Sequence, residues 1–436
     1  MKKTAICIPT FKRAKMVKDT CLKIAGTIEK ENFDVYIYDS TPDTSTEEAL
    51  KELLQNNENF HYIKISPLIH SSKKLYDIYQ SENIQNSYNY LWILPDYLFF
   101  TKEVVQAVLN QAEEGWDMMM LDFYDPEKIG DRPYVNAGQI FLEYAWSMAQ
   151  YGLVLLNCDR VLKSADWEYL ENKYLGEDYY NFSHITMYFE RMIQIPDFRF
   201  YHFSVERKNV YISKYRKEYE DLDATLKIWG YRWYKSLDAL PAYYDNSKKR
   251  ATRRLCEHTE LLDEKNVAAL RIRGVLNKET FGEYKSQWRV VTTVHPIIAR
   301  LMVYLPISFA EIISRYGSVK GWLLRPAVLC YFLWFCKKYK KIYLYGAGVV
   351  AQKYADFMMR KSIPFEGFLV SNSEGNGSVL KGHKVIGFPE LEYEKGAGIV
   401  IALNEKNKKE ILPLLQEKGY GKNVFQINIL TPFYRF

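Results

Sequence analysis

The feature that most constrains this fold is an alternation that begins at the fourth residue. Thr4 to Ile8 is a β-prone run ending at Pro9; after a basic loop, Met16, Val17, Thr20, Cys21, Ile24, Ala25 and Ile28 recur at helical spacing. A second β-prone run, Asp34 to Tyr38, ends at Asp39, and Ser45 with Glu47 and Glu48 reads as the capped, acidic start of another helix. The series goes on with a strand at His61 to Ile65, a helix over Lys73 to Asn86 and the apolar strand Tyr90 to Leu94. A helix over Glu103 to Ala112, a strand at Asp117 to Leu121 and a polar loop from Asp125 to Arg132 follow. Strands separated by helices must be joined by crossovers, so the sheet is expected to be parallel with helices over its faces.

This α/β domain is expected to close near residue 210. From 211 to 336 strand signals fade, and apolar residues recur at three and four among many Lys, Arg, Tyr and Trp residues, which predicts a helical region. Near residue 340 the pattern changes again, with Lys341-Ile342-Tyr343-Leu344-Tyr345 running straight into Gly346-Ala347-Gly348. A second α/β unit is therefore expected over 337–436. Three segments, 1–210, 211–336 and 337–436, suit a chain of 436 residues, which is longer than one core usually serves.

Composition removes several function classes. The net charge of +6 is spread along the chain with no dense basic arm, so nucleic acid is not the expected partner. The six cysteines show no CxxC pairing and sit mostly in apolar stretches, the pattern of buried reduced thiols, which points to a cytoplasmic protein. The apolar stretch from Thr4 to Ile8 is too short for a signal-peptide core. No run reaches the roughly 18 to 20 apolar residues needed to cross a bilayer. The closest is Ala327 to Cys336, which Arg325-Pro326 and a Lys-rich run bound.

In an open parallel sheet, ligands bind beyond the carboxyl ends of the strands. The first domain offers three such positions: Pro9-Thr10-Phe11-Lys12-Arg13, Asp39-Ser40-Thr41-Pro42-Asp43 and Leu94-Pro95-Asp96. Together they resemble the family 2 type of GT-A glycosyltransferases, over roughly residues 1 to 200. The resemblance implies that Pro9, Thr10 and Arg13 line a nucleotide pocket, that Asp39 accepts hydrogen bonds from base or ribose, and that Asp96 stands in the Asp motif of the family. There it would assist the donor diphosphate, directly or through Mn2+ or Mg2+; this motif reads Leu94-Pro95-Asp96-Tyr97, with one carboxylate. Lys73 and Lys74 stand where such enzymes carry a basic loop, so one of them would touch the diphosphate; two solvated lysines at a helix start is the alternative.

The base that deprotonates an acceptor hydroxyl must be a carboxylate or His near the sugar. Gly176-Glu177-Asp178 resembles the Glu-Asp pair that supplies this base in inverting members, with Asp178 the first choice. The next residues, Phe182-Ser183-His184, resemble a motif of a subgroup and make His184 a rival, as ligand or base. A helix-start acidic pair is the plain reading of Glu177 and Asp178.

At the other end, Gly346 and Gly348 follow a strand and precede a helix, the setting of a dinucleotide fingerprint. The acidic residue expected about 20 residues on is replaced by Phe368-Leu369-Val370-Ser371-Asn372, which argues against classical NAD binding. The unit resembles small Rossmann-like domains of polysaccharide-assembly enzymes, and would bind a nucleotide or sugar, or serve packing or dimerisation. Trp322 to Lys341 has the composition of an interfacial membrane element or of a buried joining helix. The resemblance as a whole implies a bacterial hexosyltransferase that moves sugar from a nucleotide-sugar donor, by family tendency a UDP-sugar, with inversion. The acceptor would be a surface glycan, glycolipid or glycoprotein. Rival readings are an NDP-sugar-processing enzyme of another kind and a degenerate scaffold, the latter supported by Tyr97.

Overall fold

In a computed structural model of the chain, residues 4–124, 131–219, 224–371, 377–403 and 405–426 are described. Of the loop expected over Asp125 to Arg132, residues 125–130 lie outside them, as does Asn372. The chain divides into two compact units, Met1–Asp263 with Val275–Pro296, and Glu264–Gly274 with Ile297–Phe436.

The first unit is built on β1 (Thr4–Thr10), whose apolar run is buried on both faces because strands flank it and helices cover it. The neighbouring β2 (Phe33–Asp39) alternates instead: Phe33, Val35, Ile37 and Asp39 point into the core, so Asp39 is buried by the period-two rule. The remaining strands are β3 (Phe60–Lys64), β4 (Tyr90–Ile93), β5 (Leu98–Phe100), β6 (Met118–Asp122), β7 (Arg132–Tyr134), β8 (Val154–Asn157), β9 (Phe200–Ser204) and β10 (Val210–Ile212). Eight of them form one sheet in the order β3-β2-β1-β4-β8-β6-β9-β7. Its first four strands are parallel, and β8 runs antiparallel between β4 and β6. The α/β fold is as expected, but the sheet is mixed and parallel-rich and not wholly parallel, since β8 and β7 run antiparallel to their neighbours.

Three helices cover the parallel end: α1 (Ala14–Ala25), α2 (Ser45–Asn56) and α3 (Ser71–Tyr79). The buried face of α1 is Met16, Val17, Thr20, Cys21 and Ile24, five of the residues whose spacing predicted it. The single helix expected over Lys73 to Asn86 is two helices. The Ser81 hydroxyl accepts the Ile84 N–H and starts a new helix, Glu82–Ser87. The expected helical stretch after 210 likewise opens with a strand: β10 pairs antiparallel with β5, Tyr211 opposite Phe99, in a separate two-stranded sheet beside the Asp96 loop. Beyond residue 224 the chain is helical as far as Lys338.

The second unit carries β11 (Lys341–Tyr345), β12 (Gly367–Val370), β13 (Val379–Leu380), β14 (His383–Gly387), β15 (Ala397–Ile401) and β16 (Val424–Phe425), in the order β13-β14-β12-β11-β15-β16. All pairs are parallel except β13 with β14. The helix Val319–Lys338 buries Phe332 and Phe335 against this sheet while Tyr331, Leu333 and Trp334 stay exposed. Cys7, Cys21, Cys158 and Cys256 are buried, Cys336 is half-buried and Cys330 is exposed. Among the described residues no helix is long and apolar enough to cross a membrane.

Candidate active site

The register of the parallel strands brings their carboxyl ends level. Thr10 lies opposite Asp39, Asp39 opposite Lys64, and the Leu94 N–H donates to the Cys7 carbonyl, so that Asp96 emerges beside the end of β1. The loops after β1 and β2 are tied together: the Lys12 N–H donates to Thr41 Oγ1 at 2.7 Å and the Ser40 N–H to the Thr10 carbonyl at 3.2 Å. Lys12 is left-handed, with φ 54°, and turns the chain back toward Arg13.

Asp96 is buried. Its Oδ2 accepts from Thr10 Oγ1 at 2.7 Å, its Oδ1 from Arg13 Nη1 at 3.2 Å and its carbonyl from Thr20 Oγ1 at 2.9 Å. Burial pushes its carboxyl above the ordinary carboxylate value, with Arg13 and Thr10 opposing the shift. Asp39 is fully buried, and its carboxylate accepts from the Thr41 N–H, the Tyr62 hydroxyl and Lys64 Nζ, at 2.8, 2.7 and 3.3 Å. Burial alone would raise it, but these donors together hold it below the ordinary value.

The two lysines separate. Lys73 is half-exposed and pairs with Asp77 at 2.9 Å and Glu171 at 2.8 Å. Lys74 is 4% exposed, and its Nζ donates to the Thr10 carbonyl at 2.9 Å and to Ser40 Oγ at 2.7 Å. Burial pushes it down to about 8, with Asp39 and Asp96 restraining the shift. The alternative of two solvated lysines does not describe Lys74.

At the position after Asp96, where the family motif would offer another carboxylate, stands Tyr97. Its hydroxyl accepts from Gln150 Nε2 at 2.6 Å, its carbonyl accepts the Ser213 N–H at 2.8 Å, and the Arg216 guanidinium lies 4.8 Å above its ring centroid. β10 delivers that arginine: Tyr211 and Ser213 both donate to Asp19 on α1, which fixes the strand over the Asp96 loop. Sequence reasoning missed Tyr62, Lys64, Gln150 and Arg216. Lys64 had a signal, since it ends a strand next to β2; the others are set by contacts between distant segments.

Glu177 and Asp178 lie in the one-turn helix Glu177–Tyr179, Glu177 exposed and Asp178 half-buried, with the Tyr231 hydroxyl donating to Asp178 Oδ1 at 3.1 Å. This segment packs on the start of α3: Tyr180 stacks on His70 at 3.6 Å between centroids, and the Asn181 N–H donates to Ser72 Oγ at 3.3 Å. Tyr180 and Asn181 thus touch the cap and the first turn of α3, the helix that carries Lys74. His184 is enclosed, its ring 4.3 Å from that of Tyr151 and 5.6 Å from that of Tyr188. Neither ring nitrogen has a hydrogen bond of good geometry, and burial lowers it to about 3, leaving a neutral core histidine beside the Met148 and Ala149 backbone. The His184 side chain itself has no solvent exposure.

Pro9 lies within β1, opposite Tyr38. In the second unit Gly346 has φ 117°, and a Cβ there would sit 2.9 Å from the Ala402 carbonyl; at Gly348 a Cβ would meet nothing within 4 Å. The glycine pair is therefore a packing requirement at its first position only. A cavity of about 380 Å³ lined by Thr4, Asn32, Tyr90 and Asn157 opens at the amino ends of the strands, opposite the end where parallel sheets bind ligands.

The residues around Asp96 do not fit a divalent cation. Mg2+, Mn2+ or Ca2+ needs several converging oxygen donors, whereas Asp96 has both carboxylate oxygens engaged, Tyr97 follows it, and a guanidinium covers the ring. Among the described residues no three His, Cys, Asp or Glu side chains are grouped to hold an ion. The metal expected on Asp96 finds no such grouping among the described residues.

No family model matches this chain, and no curated protein does. Among solved structures it is similar to S. aureus TarS 1–349 at 12% identity and a TM-score of 0.41, covering 72% of this chain and 92% of that one. It is similar to the mannosyltransferase PcManGT from Pyrobaculum calidifontis, solved with GDP-Man and Mn2+, at 12% identity and a TM-score of 0.38, covering 72% and 88%. Glucosyl-3-phosphoglycerate synthase from Mycobacterium tuberculosis, solved with Mn2+ and UDP, is similar at 8% identity and a TM-score of 0.35, covering 55% and 81%.

Proposed function

We propose that the first unit is the catalytic domain of a glycosyltransferase that moves a sugar from a nucleotide-diphosphate donor to a hydroxyl. The observation that carries the reading is the group at the carboxyl ends of β1, β2 and β4, where hydrogen bonds join Thr10, Arg13, Lys74 and Asp96 and the strand register puts Asp39 opposite Thr10. A buried lysine and an arginine there suit a diphosphate, and a carboxylate held ionised by Tyr62 and Lys64 suits the N–H and O–H donors of a base or ribose.

Asp178 is the base of this reading: it takes the acceptor hydroxyl's proton as that oxygen bonds to the anomeric carbon, and the bond from that carbon to the diphosphate oxygen breaks, which inverts the centre. We assign a UDP-sugar as donor and a lipid-linked or surface glycan as acceptor. The exposed Tyr331 and Trp334 beside Lys337 and Lys338 support approach of the second unit to a membrane surface at the cytoplasmic side. Tyr97 favours one other reading, a non-catalytic scaffold.

The test is titration of UDP-, GDP-, CMP- and dTDP-sugars with wild type and Asp178→Asn, with hydrolysis followed in parallel. One donor should bind saturably and hydrolyse slowly; Asp178→Asn should keep its affinity and lose about 10²- to 10⁴-fold in rate. Failure of every donor to bind leaves the scaffold reading, and unchanged hydrolysis removes Asp178 as the base.

A further inference from the structure

We propose that the diphosphate of the donor is neutralised by arginine and lysine side chains, Arg13 and Arg216 with Lys74 beneath them, and not by a carboxylate-bound divalent ion. This rests on the nucleotide-sugar reading and specifies how that site works. A leaving nucleoside diphosphate carries concentrated negative charge, and some cation must meet it as the glycosidic bond breaks. The structure shows which one this chain supplies.

Tyr97 is more than a missing carboxylate. Its ring is fixed at both ends, through the hydroxyl to Gln150 and through the carbonyl to Ser213, and its face seats the Arg216 guanidinium. An aromatic face attracts a cation electrostatically, and guanidinium is the cation that stacks best. The motif position that would hold a metal-binding oxygen thus holds a platform for a guanidinium instead. Asp96 is likewise used from within: Thr10 and Arg13 engage it, so it orients Arg13, whose side chain remains 39% exposed. Lys74 completes the set from below, bonded to Thr10 and Ser40 in the wall formed by the ends of β1 and β2. Three cationic side chains, Arg13, Arg216 and Lys74, thus stand around Tyr97 and the end of β1, which favours an anion. Guanidinium groups also bind phosphate oxygens in pairs, which sets geometry as well as charge.

Titration calorimetry of UDP and of GDP with the full chain, in excess EDTA and then in Mn2+, tests this. The proposal expects one nucleotide to bind equally well in both, within about twofold. It also expects Arg216→Ala to weaken binding in EDTA by about tenfold or more, the loss expected for one charge-assisted hydrogen bond to phosphate. Arg216→Lys should recover part of that loss, and Tyr97→Ala should mimic Arg216→Ala while Tyr97→Phe does not. Melting curves establish that each variant folds; Arg216 is part-exposed, so its removal leaves the core intact. Binding that appears only with Mn2+, or an Arg216→Ala protein that binds as wild type, overturns the proposal. Binding of neither nucleotide under either condition overturns the nucleotide-sugar reading itself, a result distinct from the first two.

Discussion

Lys74 shows what a single residue contributes here and what it exposes to test. Burial lowers it from the ordinary lysine value to about 8, so folding penalises its charged form, although that form still predominates at neutral pH. The sign follows: its contribution to stability is greatest above about pH 10.5 and is lost as pH falls toward about 8. An arriving diphosphate reverses the preference by favouring the charged amine. UDP affinity should therefore be highest below about pH 8 and fall as pH rises through it, with proton uptake on binding in that window; Lys74→Met should flatten the profile. A wild-type affinity constant from pH 7 to 9.5 would remove Lys74 from the site. The doublet was legible in the sequence, and helical spacing explains which member faces inward: Lys74 shares a face with buried Ile78, Lys73 with Asp77. Thr10, Asp39 and Asp96 were legible too, because strand ends are marked by Pro9, by Asp39 itself and by Pro95. Arg216 was not, since 119 positions separate it from Tyr97 and only the pairing of β10 with β5 joins them.

At the scale of elements, the antiparallel strand β8 and its preceding turn hold the Asp96 loop in place. Gly152 has φ 91°, its carbonyl accepts from Trp92 Nε1 at 2.9 Å, and a Cβ there would lie 2.5 Å from Pro95 Cδ. Gly152→Ala should cost roughly 1–3 kcal/mol of stability through backbone strain and contact and should weaken nucleotide binding by displacing Pro95 and Asp96. Gly115→Ala is the control: its φ is 69°, but a Cβ meets nothing within 4 Å. Denaturation and UDP titration of both variants separate the two effects, and an equal loss of binding in both would refute the link to Pro95. The parallel strands β1 to β4 were readable because each is a continuous apolar or alternating run between helices. β8 and β10 were not, since short strands that return antiparallel carry too few residues for a period to emerge.

For the molecule as a whole, each unit has its own sheet and its own buried core. Gly346→Ala, strained in backbone and 2.9 Å from the Ala402 carbonyl, should lower the melting temperature of the second unit while UDP affinity in the first is unchanged; Gly348→Ala should do neither. A ligand pressed against the glycine turn would instead make Gly348→Ala lose binding of that ligand. The same unit offers a practical handle. Of six cysteines, Cys330 alone is exposed, on the helix that also presents Tyr331, Leu333 and Trp334. A maleimide dye should label the folded chain at about one site and the denatured chain at all six, so that the native sequence already carries a site for a fluorescent reporter beside exposed Tyr331, Leu333 and Trp334. Its emission on added vesicles would read polarity where those side chains meet their surroundings.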